Sequence, residues 1–319
     1  MDGMRAIGFE RFGGPEVLRE IVHPVPEPTP DEVRIRVTAA TVNPGDVYQR
    51  KGHVPSLRHA PPWMVGMEAA GIVEAVGPLA SERFSVGDRV IAHVNPVDPR
   101  GAAYGEFAVA SADRVIPAPS GASDAESATL PMNGMTAWLL VEALRLPPGG
   151  VLAVIGAAGA VGGYVIQLAR AVGHTVIADA AAGDEELVRS LGADVVFPRG
   201  RDAGAQILRA AGGQVDGVAV AAGSDLAVSA VKRGGVVATA IGAGEGAQLA
   251  RAQANGIRVV PVRVDLAPAP APMLQGLRDL AEAGALTLRV ADELPAAEAP
   301  AAHRRLEAGG LRGRQVLRF

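Results

Sequence analysis

The chain has no cysteine. Disulfides, thiolate zinc sites, thiol nucleophiles and cysteine redox chemistry are therefore excluded. Lysine is nearly as scarce, with only Lys51 and Lys232, so arginine carries the positive charge. A formal net charge of -4 leaves no basic footprint for nucleic acid. Charged residues make up 20% of the 319 and apolar residues 49%, a globular composition rather than a disordered one. The opening stretch MDGMRAIGFERF has no apolar core of the signal-peptide kind, and a cytoplasmic location is expected. One uncharged run, residues 146–169, is long enough to cross a bilayer. It contains Pro147, Pro148 and a glycine cluster, which fit a strand, a turn and a helix better than a membrane span.

That run holds the most informative segment, VLAVIGAAGAVGGYVIQLAR at 151–170. An apolar strand at 151–155 leads into a glycine-rich turn at 156–163 and then a segment of helical spacing at 164–170. This order leaves backbone N–H groups at a helix N-terminus able to hold a pyrophosphate.

The rest of the chain divides by pattern. Residues 32–39 (EVRIRVTA) alternate apolar and charged side chains, as a half-buried strand does. Residues 69–76 and 89–93 are further strands, and Pro and Gly break the region into short pieces, with turns at 13–15 and 86–88. A β-rich domain over 1–122 is expected. From 123 to 265 apolar strands alternate with helices, which predicts an α/β unit with a doubly wound parallel sheet. Its pairs are 175–178 with 185–191, 195–197 with 203–211, and 217–221 with a helix at 226–232, followed by strands at 236–241 and 258–264. Pro261 places the last of these on an edge. A Pro-Ala hinge at 267–272, a helix at 273–283, a strand at 287–294, a helix at 297–308 and a strand at 313–319 make 266–319 a return to the first kind of structure.

The glycine turn matches the dinucleotide fingerprint G-x-G-x-x-G in the register 157–162, with Ala157 in the first glycine's place. Gly159 lets the backbone approach the pyrophosphate beside Ala160 and Val161, and Gly162 lets the helix pack closely on the sheet. An acid about 20 residues further on reads the ribose 2′-hydroxyl and favours NAD. Asp179 lies at that distance and Ala180 follows it. Successive strand residues face opposite ways, so either Asp179 or Ala180 faces the ribose. If Ala180 does, a 2′-phosphate fits and needs a cation, for which Arg199 is the candidate; an ordinary loop arginine is the alternative.

FGGPEVL at 12–18, VNPGDVY at 42–48, GMEAAG at 66–71, VGDRV at 86–90, the loop 156–163 and AHRRLEAG at 302–309 occur in this order. In these motifs, over essentially its whole length, the chain resembles the zinc-independent medium-chain dehydrogenase/reductase family, in particular its quinone oxidoreductase (zeta-crystallin-like) branch. The resemblance implies a GroES-like catalytic domain, a Rossmann domain and a cleft between them. It also implies NADPH as cofactor, with NADH the other choice, and a homodimer formed through edge strands.

Zinc-bearing relatives place a ligating Cys near Pro44 and a His where Met67 stands, and neither is present. The lobe that holds a structural zinc is also missing, since 94–105 is short. The six histidines show no ligand spacing, so no metal is expected. Alcohol oxidation benefits from a Lewis acid. Hydride delivery to a quinone or to the β-carbon of an α,β-unsaturated carbonyl needs only hydrogen-bond donors for the developing oxygen, and a proton.

The resemblance places Asn43 and Tyr48 at the nicotinamide end of the cleft. Asn43 would donate through its amide, and Tyr48 would donate a hydrogen bond or a proton. The plainer roles are an Asn-Pro turn residue and a packed wall residue. Thr136 matches a position near the nicotinamide and ribose, and Ile241 and Gly242 close a strand at the edge where ligands sit. Val54 stands where many relatives carry a tyrosine, which leaves solvent as a proton source. Asp184 stands where some carry a lysine for the 2′-phosphate. The loop 50–63 is expected to form a cleft lip, in which Arg50, Lys51 and Arg58 read as a solvated basic surface, the alternative being attraction of an acidic carrier or phosphate. The expected function is a metal-independent, NAD(P)H-dependent reductase of a small carbonyl or quinone substrate. An enoyl reductase or tailoring enzyme of a biosynthetic pathway, and a non-catalytic NADPH-binding protein, are the alternatives.

Overall fold

A computed structural model of the chain describes residues 3–53, 60–240, 246–264 and 270–319. The chain divides into two compact units: Met1–Met132 with Ala269–Glu282 and Leu288–Phe319, and Asn133–Pro268 with Ala283–Thr287.

The first unit is β-rich. Its opening elements are β1 (Gly3–Phe9), β2 (Arg19–Pro24), β3 (Glu32–Thr41), α1 (Pro44–Arg50), β4 (Trp63–Met64), β5 (Glu68–Val76), β6 (Arg89–His93), β7 (Phe107–Ser111), β8 (Val115–Pro117) and α2 (Asp124–Ala128). Helix α3 (Pro131–Leu144) starts at its end. In β3 the alternation in the sequence becomes geometry: Val33, Ile35 and Val37 are buried, because side chains two apart share a face. They join Phe9, Val73, Val90 and Tyr104 in one core.

The second unit is a six-stranded parallel sheet with helices. Its elements are β9 (Val151–Ile155), α4 (Ala160–Ala171), β10 (Thr175–Ala180), α5 (Glu185–Ser190), β11 (Val195–Pro198), α6 (Ala203–Ala211), β12 (Val215–Val220), β13 (Val231–Thr239), α7 (Gly246–Ala254) and β14 (Arg258–Pro261). The strand order is β11-β10-β9-β12-β13-β14, the doubly wound order in which ligands sit beyond the carboxyl ends of the central strands. The central strand β9 is apolar throughout because a parallel sheet buries both of its faces. The chain then closes with α8 (Pro270–Glu282), β15 (Val290–Pro295), α9 (Ala299–Ala308) and β16 (Arg314–Arg318), all in the first unit. Strand β16 pairs with β3, which brings the end of the sequence against Thr41.

The fold is therefore mixed α/β, with a β-rich part and a Rossmann-type sheet. Pro261 does lie on an outer strand, β14. Two expectations are corrected. The helix at 226–232 is only a 3₁₀ turn, Val228–Ala230, and β13 already begins at Val231. Ala227 before it has φ +47°, and the Asp225 carboxylate accepts hydrogen bonds from the backbone N–H groups of Ala203 and Ala227. This local bonding holds the segment in a turn. Of the hinge at 267–272, the residues from Pro270 onward belong to α8, where prolines in a first turn give up only N–H groups that have no helical partner. No described helix is long and apolar enough to cross a membrane.

Candidate active site

The glycine turn between β9 and α4 is held by fixed backbone geometry. Gly156 has φ +85°, and a Cβ there would stand 2.8 Å from the Ala222 nitrogen. The tight turn therefore falls at Gly156, one residue before the first slot of the fingerprint register, so Ala157 keeps an ordinary backbone. A Cβ on Gly162 would run into the Gly156 carbonyl, so α4 approaches the turn as closely as a helix can. Gly159 caps the helix, and it is half-buried along with Ala160 and Val161. Gly159 donates its own N–H to the Gly156 carbonyl at 3.1 Å, and Ala160 and Val161 stand in the first turn of α4, where backbone N–H groups have no partner within the helix.

Asp179 is buried at the end of β10. Its Oδ1 accepts hydrogen bonds from the N–H groups of Gly156 (2.8 Å) and Ala157 (2.9 Å). Its Oδ2 accepts one from Arg199 Nε at 2.7 Å. Asp179 thus spends its carboxylate on the glycine turn and on Arg199, and Ala180 is buried beside it with its carbonyl oxygen accepting from the Arg199 backbone N–H. Arg199 keeps 39% of its side chain exposed. The bond to Asp179 raises its pKa above the ordinary arginine value. Thr136 is half-buried on α3. Ile241, Gly242, Val54 and Arg58 lie outside the described residues.

In the first unit a buried polar network surrounds the N-terminus of α1. Glu68 is fully buried. Its Oε1 accepts from Thr41 Oγ1, from Asn43 Nδ2 at 3.0 Å and from Arg314 Nη2 at 2.9 Å. Its Oε2 accepts from the Met132 N–H at 2.6 Å, in the first turn of α3, where a carboxylate is favoured. Asn43 is itself buried, and its backbone N–H donates to Asp46 Oδ2 at 2.8 Å. Asp46 Oδ1 accepts from the Gly66 N–H at 3.0 Å. The Tyr104 hydroxyl lies 3.4 Å from Asp46 Oδ2 and 3.3 Å from His303 Nε2. Tyr48, on the same helix, is 55% exposed, with its ring 6.2 Å from that of His53.

Arg50 is not part of a solvated surface. It is fully buried, and its guanidinium donates to the Gly13 carbonyl at 2.7 Å and to Glu307 at 2.9 Å. It ties α1 to the glycine turn at 13–14 and to α9. Sequence reasoning passed over Glu68, Asp46, Tyr104 and Arg314; charged residues inside strand patterns (Glu68 opening β5, Arg314 opening β16) were the available signal.

Two of these buried groups titrate in opposite senses. Burial pushes the Asp46 carboxyl up to about 7, against the pull of the Asn43 and Gly66 N–H groups. Burial pushes His303 down to about 3, and Arg50 adds to the shift. The stability tied to Asp46 is present below its unfolded pKa of about 3.9 and is lost as pH rises through about 7. The stability tied to His303 is present above about 6.5 and is lost as pH falls towards about 3. Asp46→Asn removes the first dependence alone. The thermal midpoint of the variant relative to the parent is expected to improve steadily from pH 5 to pH 7.5. An unchanging difference between the two proteins across that range would remove Asp46 as the titrating group.

Comparison with known proteins agrees with this architecture. Residues 29–120 match the alcohol dehydrogenase GroES-like domain, and residues 191–317 match a domain described as zinc-binding dehydrogenase. The chloroplast envelope quinone oxidoreductase homolog of Arabidopsis thaliana is 33% identical over 226 residues, 67% of this chain and 67% of that one. The trans-enoyl reductase tazE of Aspergillus terreus is 35% identical over 199 residues, 58% of this chain and 65% of its own length. The match thus spans slightly less than two thirds of that relative. A mycobacterial protein solved in complex with NADPH superposes with a TM-score of 0.86 at 30% identity, covering 99% of this chain and 100% of its own. The chain belongs to the medium-chain dehydrogenase/reductase family, on its quinone oxidoreductase branch.

The residues present do not fit the zinc that the name of the second matching domain implies. Cysteine is absent, Met67 offers a thioether, and Glu68 spends both oxygens on four donors. Among the described residues no group of three His, Asp or Glu side chains is placed to hold a metal ion.

Proposed function

We propose that this protein is an NADPH-dependent, metal-independent reductase that transfers a hydride to a quinone or an α,β-unsaturated carbonyl. The observation that carries the reading is the assembly of Gly156, Gly162, Asp179 and Arg199. The first turn of α4 faces a pyrophosphate with the N–H groups of Ala160 and Val161, and Asp179 aims the Arg199 guanidinium by holding its Nε. Arg199 then takes the 2′-phosphate through its remaining N–H groups, a contact that NADH lacks. The solved relative bound to NADPH supports the same choice.

When bound, the cofactor supplies the hydride. Gly159, Ala160, Val161 and Gly162 receive its pyrophosphate, and Thr136, Ile241 and Gly242 are proposed to flank its nicotinamide end. Tyr48 meets the acceptor oxygen with its phenol as the negative charge develops, and it or solvent delivers the proton. We further propose a homodimer, paired along an outer strand of the six-stranded sheet. The test is NADPH oxidation by the purified protein across a panel of free quinones and enones. Turnover with several of them supports the reading, and tight NADPH binding with no turnover anywhere assigns the chain a binding role instead. Relatives named trans-enoyl reductase favour one second reading, reduction of enoyl thioesters. A specificity constant much higher on an enoyl thioester than on any free quinone would select it.

A further inference from the structure

We propose that Tyr104 is a two-position switch inside the first unit. Its hydroxyl donates to Asp46 when that carboxylate is ionised, and it turns to the Thr41 carbonyl when Asp46 is protonated. His303 stands behind it as a fixed donor. This role holds whatever reaction the protein carries out. Three atoms surround the hydroxyl: Asp46 Oδ2 at 3.4 Å, the Thr41 carbonyl oxygen at 3.5 Å and His303 Nε2 at 3.3 Å. A phenol has one proton to give, and all three distances are long for a hydrogen bond. The hydroxyl is therefore placed between its neighbours and committed to none of them.

His303 is the neighbour whose part is fixed. It is fully buried, and its Nδ1 has no hydrogen-bond partner among the described residues. A proton on Nδ1 would leave a buried donor unmet, a cost that the tautomer protonated on Nε2 avoids. Burial, with Arg50 adding to it, keeps the ring neutral down to about 3. Nε2–H therefore donates to Tyr104 Oη, across rings that stand perpendicular with centroids 6.0 Å apart.

Asp46 then selects between the two acceptors that remain. As a carboxylate it takes the hydroxyl in a charge-assisted bond, beside the N–H groups of Asn43 and Gly66. As an acid it turns its own O–H on Tyr104 Oη, and the tyrosine proton swings to Thr41. No proton passes between the two side chains. Tyr104 stays a donor in both states, because burial, and after it the Asp46 charge, hold its phenol well above the ordinary value. The other charges that face Asp46 are Arg314, which favours the anion, and Glu68, which opposes it; around His303 they are Arg50 and Glu307. Asp46 changes state at about 7. Above that pH the hydroxyl ties Tyr104 to α1, the helix that carries Tyr48, and below it to the end of β3.

The test is a pH titration of the whole protein by NMR, with aspartate labelled at Cγ and tyrosine at Cζ. Both signals are assigned through bonds to their own backbone amides. In the parent the Tyr104 and Asp46 signals are expected to move together with a single midpoint. In Tyr104→Phe the Asp46 midpoint should rise by about one pH unit, a roughly tenfold change in its ionisation constant, because a donor to an anion is worth more than one to a neutral acid. In Asp46→Asn the Tyr104 signal should stay flat over the same range; movement there would overturn the switch. So would a Tyr104 signal in the parent that ignores the Asp46 titration, or an Asp46 midpoint that stays in place in Tyr104→Phe. If Asp46→Asn does not fold, the parent and Tyr104→Phe still decide. Nitrogen labelling of His303 should show Nδ1 bare throughout, and a proton found there would overturn its part as the fixed donor.

Discussion

Replacing Arg199 with alanine is expected to raise the Kd for NADPH about 100-fold and to leave that for NADH within about twofold. Arg199 is poised rather than buried: its Nε is fixed on Asp179 at 2.7 Å, while 39% of the side chain stays accessible. A guanidinium held through Nε cannot swing away, so its other N–H groups address whatever lies beyond β10. Losing a charge-assisted contact to a phosphate costs about 2.7 kcal/mol, which is that 100-fold. Titration calorimetry with both cofactors checks it. Equal losses for NADPH and NADH would mean that Arg199 merely braces Asp179, and the assignment of the 2′-phosphate would fall.

The second large effect is expected at Gly162. Alanine there places a methyl group against the Gly156 carbonyl, with Ala157 also in reach. Neither neighbour is the yielding end of a side chain. Gly156 is itself confined by its φ of +85° and by Ala222, so α4 has to retreat from the turn. A cost of about 3 kcal/mol in stability is expected, with NADPH affinity reduced by about 100-fold or more. Gly246→Ala makes the same chemical change where nothing among the described residues lies within 4 Å, and it should bind NADPH like the parent. If Gly162→Ala also binds normally, the turn tolerates a wider helix approach than its contacts allow.

Much of the fold was legible because its signals are local. The period of two in β3, the unbroken apolar β9 and the glycine turn each lie within a few residues, and the structure places elements there. Helix α3 was harder to see: apolar side chains occur all around it (Met135, Ala137, Leu140, Leu144) and Gly134 interrupts it, so no periodic face stands out. Leu226 to Lys232 has helical composition, but Asp225 bonds the backbone into a turn, a contact that no periodicity records.

The site was legible in its residues more than in its bonding. Asp179 sits at the spacing of a ribose-reading acid, yet its direction depends on N–H groups 22 and 23 positions earlier. Asn43 was singled out as a donor, and the acceptor its amide nitrogen meets is Glu68, 25 positions away, which Arg314 at the far end of the chain also reaches. Arg50 looked like a loop cation because its anchors, Gly13 and Glu307, are likewise remote. Partners brought together by strand pairing across the whole chain leave no spacing to read.

The two N–H groups that Asp179 holds carry a thermodynamic consequence. A seat that is finished before its occupant arrives does not have to be ordered by it, so little of the binding free energy is spent on restricting the chain. Association with the cofactor should then resemble docking to a rigid surface, with a heat-capacity change set by the apolar area covered and no added contribution from folding of the turn. Asp179→Asn would leave a looser seat, and its signature would be a less favourable binding entropy at nearly unchanged enthalpy.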